Sequence, residues 1–215
     1  MRIGILGSGL MGGKLGTLFA RAGHDVVFSY ARTEEKLRQL ARDVGDHARA
    51  GTVREAVADA DVVFLAAPWL RFDDVLKQAG DLAGKVIVSC CLPTNGDGTS
   101  GLLVAGASSG SEELARRAPG ARIVAAFSTV PSEVLFAVFE ARGRATRPSL
   151  VYCGDDASAK EIAAKLIRDI GFDPADAGPL RIARYIEPFS MLVGQLAYEG
   201  SDGPALAYRF ERFEK

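Results

Sequence analysis

Short apolar runs alternate with amphipathic stretches along the first half of the chain, the pattern of a parallel sheet wrapped by helices. Arg2–Leu6 reads as a buried strand, and Leu15, Leu18, Phe19 and Ala22 then recur at helical spacing until Gly23 stops the helix. Asp25–Ser29 is a further strand. Thr33–Val44 is a helix with Leu37, Leu40 and Val44 on one face, Thr33 as its cap and Glu34 and Glu35 at its positive end. Asp61–Ala66 and Lys85–Ser89 are strands without polar interruption at their centres, as burial on both faces requires. A helix over Glu112–Ala118 leads to another strand, Arg122–Ala126, and the Gly/Ser/Thr-rich stretch from Pro93 to Gly110 reads as a long mobile loop.

The last third reads differently. Ser132–Ala141 is predicted helical, Leu150–Cys153 a strand, and Ala157–Ile170 a helix ended by Gly171. Ile182, Ile186, Phe189, Val193 and Leu196 mark a long helix, which Pro188 is expected to kink. The expected fold class is α/β: a Rossmann-type doubly wound parallel sheet over residues 1–127 with a smaller C-terminal α/β domain over 128–215.

Composition narrows the class of partner. The 215 residues are 48% hydrophobic and 25% charged, with a net charge of −1, so there is no basic field to attract nucleic acid. No apolar stretch approaches the ~20 residues that span a bilayer, and the apolar start meets glycine too soon for a signal peptide. A cytoplasmic protein without membrane or nucleic-acid partners is the expectation. The 3 cysteines lack metal-ligand spacing, which suits a reducing compartment. Cys90 and Cys91 read as small core thiols at a strand end, with a redox pair as the alternative.

Gly7-Ser8-Gly9-Leu10-Met11-Gly12 follows the first strand at once and opens an amphipathic helix. In this GxGxxG pattern the first glycine makes the tight turn, the second lets backbone approach a pyrophosphate, and the third lets helix and sheet pack closely. With 24 glycines in the chain the pattern alone is weak. Its strand–turn–helix–strand setting makes it a dinucleotide site. An NAD site places an acid at the end of the second strand, whereas here the stretch is Ser29-Tyr30-Ala31-Arg32-Thr33. Arg32, with Lys36 one turn on, offers cations for a 2′-phosphate, so the expected cofactor is NADPH.

The same segments, with Ala67-Pro68-Trp69, Phe127-Ser128-Thr129-Val130-Pro131, Cys153-Gly154-Asp155-Asp156 and Asp176-Ala177-Gly178-Pro179-Leu180, resemble NADPH-dependent reductases of the deazaflavin coenzyme F-420. The cytoplasmic domain of membrane ferric reductases is a more distant likeness. The resemblance implies hydride transfer between NADPH and a flavin-like or deazaflavin acceptor. It implies that Pro68 and Trp69 wall the nicotinamide site with Leu92 and Pro93 beside it. Ala31 stands where the family often has a serine that helps bind the 2′-phosphate, and Ser128 replaces a common histidine or asparagine.

Other chemistry is sparse. His24 falls in a turn at the sheet end away from ligands, His47 in a polar, solvated stretch, and no metal cluster or Ser-His-Asp order is seen. Asp155 and Asp156 read as the cap and first turn of a helix, and Glu161 and Lys165 as a surface pair, with Lys160 also solvated. Ser128 and Thr129 are the candidate contacts for a small-molecule acceptor. A reductase of small carbonyls or imines and a non-catalytic NADPH sensor are the competing readings. The helix around Pro188, with Phe189, Met191 and Leu192, would serve a homodimer or the monomer core equally well.

Overall fold

The computed structural model of the chain describes residues 1–96 and 101–213. Its strands are β1 (Arg2–Leu6), β2 (Asp25–Ser29), β3 (Ala48–Ala50), β4 (Val62–Leu65), β5 (Val86–Ser89), β6 (Arg122–Ala125), β7 (Ser149–Gly154) and β8 (Asp173–Asp176). They form one eight-stranded sheet in the order β3-β2-β1-β4-β5-β6-β7-β8. All neighbours run parallel except β6 and β7, which pair antiparallel. The first six strands in this order define the doubly wound Rossmann arrangement. The boundary expected at 127/128 falls where strand direction reverses, and the sheet itself runs on across it.

The helices are α1 (Leu10–Arg21), α2 (Glu34–Val44), α3 (Val53–Ala58), α4 (Phe72–Ala79), α5 (Gly110–Arg117), α6 (Leu135–Glu140), α7 (Ala157–Asp169) and α8 (Ala183–Tyr198). Because alternate strand residues face opposite sides, two cores form. Ile3, Ile5, Phe28, Phe64 and Val124 pack one face against α1, α6 and α7. Leu6, Val63, Leu65, Ile87 and Ile123 pack the other against α3, α4 and α5. Burial on both faces is why these strands lack polar residues at their centres.

Local signals act as expected at several ends. Thr33 caps α2 by accepting from the Lys36 amide at 3.4 Å, and Asp156 caps α7 by accepting from Ala159 at 2.7 Å. The cap falls one residue later than the sequence suggests, on Asp156 rather than Asp155, whose carboxylate instead accepts from the Leu180 amide at 2.9 Å, tying the segment after β8 to the end of β7. Lys165 pairs with Asp169 at 2.6 Å rather than with Glu161, and Lys160 reaches Asp176 at 2.9 Å. Pro188 lies inside α8, which continues helical through it. The apolar pattern misses β3, α3, α4 and β8. Part of the expected 93–110 loop, residues 97–100, lies outside the described residues.

Candidate functional site

Crossovers from β1 and β4 wind to opposite sides of the sheet, so a crevice opens beyond their carboxyl ends. Here it is a cleft of about 1570 Å³. Each strand from β1 to β6, β3 aside, contributes the residues just after its last hydrogen-bonded position, and α8 supplies the opposite wall. Of the residues picked out by sequence, Gly7, Ser8, Gly9, Leu10, Met11, Ala31, Arg32, Lys36, Ala67, Pro68, Trp69, Leu92 and Ser128 line it. Gly12, Pro93 and Thr129 do not.

The glycine turn divides its labour as backbone sterics demand. Gly7 has φ +109, and a Cβ there would stand 2.4 Å from the Ala67 nitrogen. A Cβ at Gly12 would lie 2.0 Å from the Gly7 carbonyl oxygen, which is why Gly12 is buried behind the turn rather than in the cleft. Gly9 meets nothing within 4 Å, so its face is open to the cleft. The Gly7 and Ser8 amides are consumed by the Ser29 and Tyr30 carbonyls, each at 3.1 Å. That leaves the start of α1, whose N-cap Gly9 has no side-chain cap and whose first turn has no acid. An uncapped helix start with no local anion presents bare N–H groups and a positive dipole end to a phosphate. The turn therefore fits a dinucleotide pyrophosphate.

One end of the cleft is cationic, lined by Arg32, Lys36 and Arg71. Tyr30, just past β2, adopts the left-handed φ of 55 that bulky residues rarely take. Its carbonyl accepts from Ser8, and its phenol donates to Asp74 of α4 at 2.7 Å. Partial burial and this carboxylate push the Tyr30 phenol up to about 12, while the bonds from Tyr30 and Gln78 hold Asp74 below the usual carboxylate range.

The other end carries hydroxyls. Ser190 on α8 is buried and bonds the Ile186 carbonyl at 2.9 Å and the Ser128 hydroxyl at 3.1 Å. A hydroxyl has one proton, so the Ser190 hydroxyl shares it between the Ile186 carbonyl and the Ser128 hydroxyl. Thr129 does not join them in the cleft, because it is fully buried and its hydroxyl is bonded to Tyr208 at 2.7 Å. Pro93 is likewise buried, its ring against Gly110. Trp69 lies against Phe72, with the Arg117 guanidinium 5.0 Å from its ring centre. Tyr198 donates to Glu133 at 2.8 Å and its phenol is pushed up to about 12, chiefly by partial burial. Lys14 ties α1 to the segment after β6 by donating to the Ser132 carbonyl at 3.0 Å.

The remaining titratable groups are occupied elsewhere. Cys91 lines the cleft, but its thiol donates to the Ala67 carbonyl at 2.9 Å, and burial drives both it and Cys90 upward, away from the thiolate that redox chemistry needs. His24 is buried at the opposite end of β2, bonded to Asp169 at 2.9 Å, and His47 pairs with Asp25 at 3.0 Å. Glu187 is buried on α8 and accepts from the Gly110 and Ser111 amides at 2.8 and 3.0 Å, capping α5. Among the described residues no His/Cys/Asp/Glu group is arranged to hold a metal ion.

Sequence reasoning missed Tyr30, Arg71, Asp74, Ser190 and Tyr198. Arg71 alone had a local signal, standing one turn past Pro68-Trp69. The others enter through contacts between distant segments.

These features define an α/β protein of the doubly wound Rossmann type with a crevice beyond its strand ends that fits a dinucleotide. Residues 2–93 match the family described as NADP oxidoreductase, coenzyme F420-dependent, the family that the motifs resemble. The chain is 29% identical over 186 residues to the metalloreductase STEAP3 of Rattus norvegicus, covering 86% of this chain and 36% of that protein. The chain thus spans about a third of that relative's length. In three dimensions it is similar to a protein of Arthrobacter sp. FB24 provisionally described as an F420-dependent NADP-reductase, with TM-score 0.85, 24% identity and 99% and 100% of the two chains covered. A reductive aminase from Aspergillus terreus in complex with NADPH and ethyl levulinate shares the fold at TM-score 0.64 and 19% identity, over 90% of this chain and 60% of that one.

Proposed function

We propose that the chain is an NADPH-dependent oxidoreductase that moves a hydride between NADPH and a flavin-like or deazaflavin acceptor. The observation that carries this reading is one continuous cleft of about 1570 Å³, with an open phosphate turn and cations at one end and paired hydroxyls at the other. Its volume exceeds the roughly 300–1,000 Å³ of a site for one small ligand, leaving room for a dinucleotide and a second ring system.

The bound dinucleotide supplies the hydride from its nicotinamide. The protein's residues hold, orient and shield. Amides at the start of α1 would hold the pyrophosphate, and Arg32 and Lys36 the 2′-phosphate. Pro68, Trp69 and Leu92 would wall the reacting ring, and Ser128 would offer its hydroxyl to the acceptor. Holding two rings in register and excluding water is the main contribution a protein makes to such an exchange.

The titratable groups favour this over reduction of a small carbonyl or imine. A carbonyl reductase needs a proton donor in reach. Tyr198 already donates to Glu133 and Cys91 to a backbone carbonyl, and both are shifted upward. The three free thiols support a reducing, cytoplasmic setting, and no helix among the described residues is long and apolar enough to cross a membrane. The exposed Tyr185, Leu192 and Leu196 along α8 support a homodimer.

The deciding experiment follows NADPH oxidation with deazaflavin, FMN, ferric chelates and small carbonyls supplied in turn. Turnover confined to the ring acceptors or ferric chelates is expected. Turnover only with carbonyls, or none with any acceptor despite tight NADPH binding, would favour the imine-reductase or sensor reading respectively.

A further inference from the structure

At the cationic end Arg71 stands beside a carboxylate, Asp74, whose charge it helps hold below the usual range. Among the described residues Arg71 makes no ion pair, while Asp74 accepts two hydrogen bonds from uncharged donors. One carboxylate oxygen accepts from the Tyr30 phenol at 2.7 Å and the other from the Gln78 amide at 3.1 Å. Each oxygen is thus engaged by a neutral donor. Tyr30 meets Asp74 from a backbone held at φ 55. A bulky side chain kept in that region costs free energy, and such strain concentrates at functional sites.

We propose that Arg71 is a third cationic ligand for the phosphomonoester at the adenosine end of NADPH, and that Tyr30 is the positioning residue that keeps it available by occupying Asp74. This rests on the NADPH reading above and adds to it a device for preferring NADPH over NADH. The binding energy comes from Arg32, Lys36 and Arg71 together, and Tyr30 acts only through the freedom of Arg71.

The test measures Kd by calorimetric titration of the purified protein with NADPH and with NADH. Arg71→Gln, a change at an exposed side chain, should weaken NADPH about tenfold, the size of one charge-assisted bond, while NADH changes less than about twofold. Tyr30→Phe keeps the ring and removes the donor. It should weaken NADPH by about threefold, the scale of an exposed Asp74–Arg71 pair that must be broken. Adding Asp74→Asn to Tyr30→Phe should restore wild-type affinity. Rescue by removing a charge is a result that a merely structural Tyr30 would not give.

Equal losses for NADPH and NADH in Arg71→Gln would overturn the proposal and make Arg71 a stacking partner for adenine. Failure of Asp74→Asn to restore the Tyr30→Phe protein would overturn the role of Tyr30. If the unaltered protein prefers NADH, the NADPH reading itself fails and carries the inference with it.

Discussion

The two ends of the cleft share one motif and use it differently. Each has a tyrosine whose phenol donates to a carboxylate, Tyr30 to Asp74 at 2.7 Å and Tyr198 to Glu133 at 2.8 Å, and each phenol is pushed up to about 12. At the Tyr30 end three cations line the wall and the phosphate turn adds backbone donors. At the Tyr198 end no cation from the other end recurs; Ser128 and Ser190 lie there with Gln195 and Glu199 at the end of α8. The first end is built to meet fixed negative charge, and backbone geometry does most of the positioning there. The second presents paired hydroxyls, and its geometry depends on side chains from different parts of the chain.

The largest test of that difference is Gly7→Ala. Left-handed backbone and overlap with Ala66 and Ala67 should cost about 3 kcal/mol of stability in urea unfolding, with NADPH binding lost as well. A Gly7→Ala protein of unchanged stability would show that the turn is not rigid. Gly9→Ala has open space around it, so stability should move by less than about 1 kcal/mol while NADPH affinity falls about tenfold. Loss of stability with retained affinity would reverse the roles assigned to the two glycines.

At the hydroxyl end the expected effects are smaller. Ser190→Ala should lower kcat about fivefold with a productive acceptor, one neutral hydrogen bond's worth, and leave NADPH affinity alone. Thr129→Val should do the converse, lowering stability by about 1 kcal/mol through the lost bond to Tyr208 without changing kcat. If the two variants exchange phenotypes, the assignment of Ser128 and Ser190 to the cleft is wrong.

The smallest effect separates stability from binding. Burial lowers the His24 pKa against the partial opposition of Asp169. A folded-state value below the unfolded one means stability is present above about pH 6.5 and is lost as pH falls through the folded value. His24→Gln should flatten the stability profile between about pH 7 and pH 5 without changing how NADPH affinity varies over that range, since His24 lies at the far end of β2.

Legibility in the sequence follows the same division. The GxGxxG turn was readable because its three glycines act within six residues of one another. β2 was readable from its apolar pattern and Thr33 from its place before Glu34 and Glu35. β3 was not, because Ala48-Arg49-Ala50 is only three residues long with an exposed arginine at its centre. β8 was not, because Asp173-Pro174-Ala175-Asp176 is an edge strand without an apolar face. Tyr30–Asp74 and Ser128–Ser190 join positions 44 and 62 apart, distances at which no local period survives. The motif containing Ser128 and Thr129 was visible, but which hydroxyl faced the cleft was decided by Tyr208, 79 positions from Thr129.

The unbroken sheet has a mechanical consequence. With β6 hydrogen-bonded to β7, and Tyr208 fastening Thr129 to Val151, the two halves of the molecule behave as one beam rather than two plates on a hinge. A beam cannot close over its cargo by bending at a joint. Sealing such a cleft falls to its rim, the loops after the strands and the exposed face of α8, so the pace of the proposed exchange would be set at its edges and not along its spine.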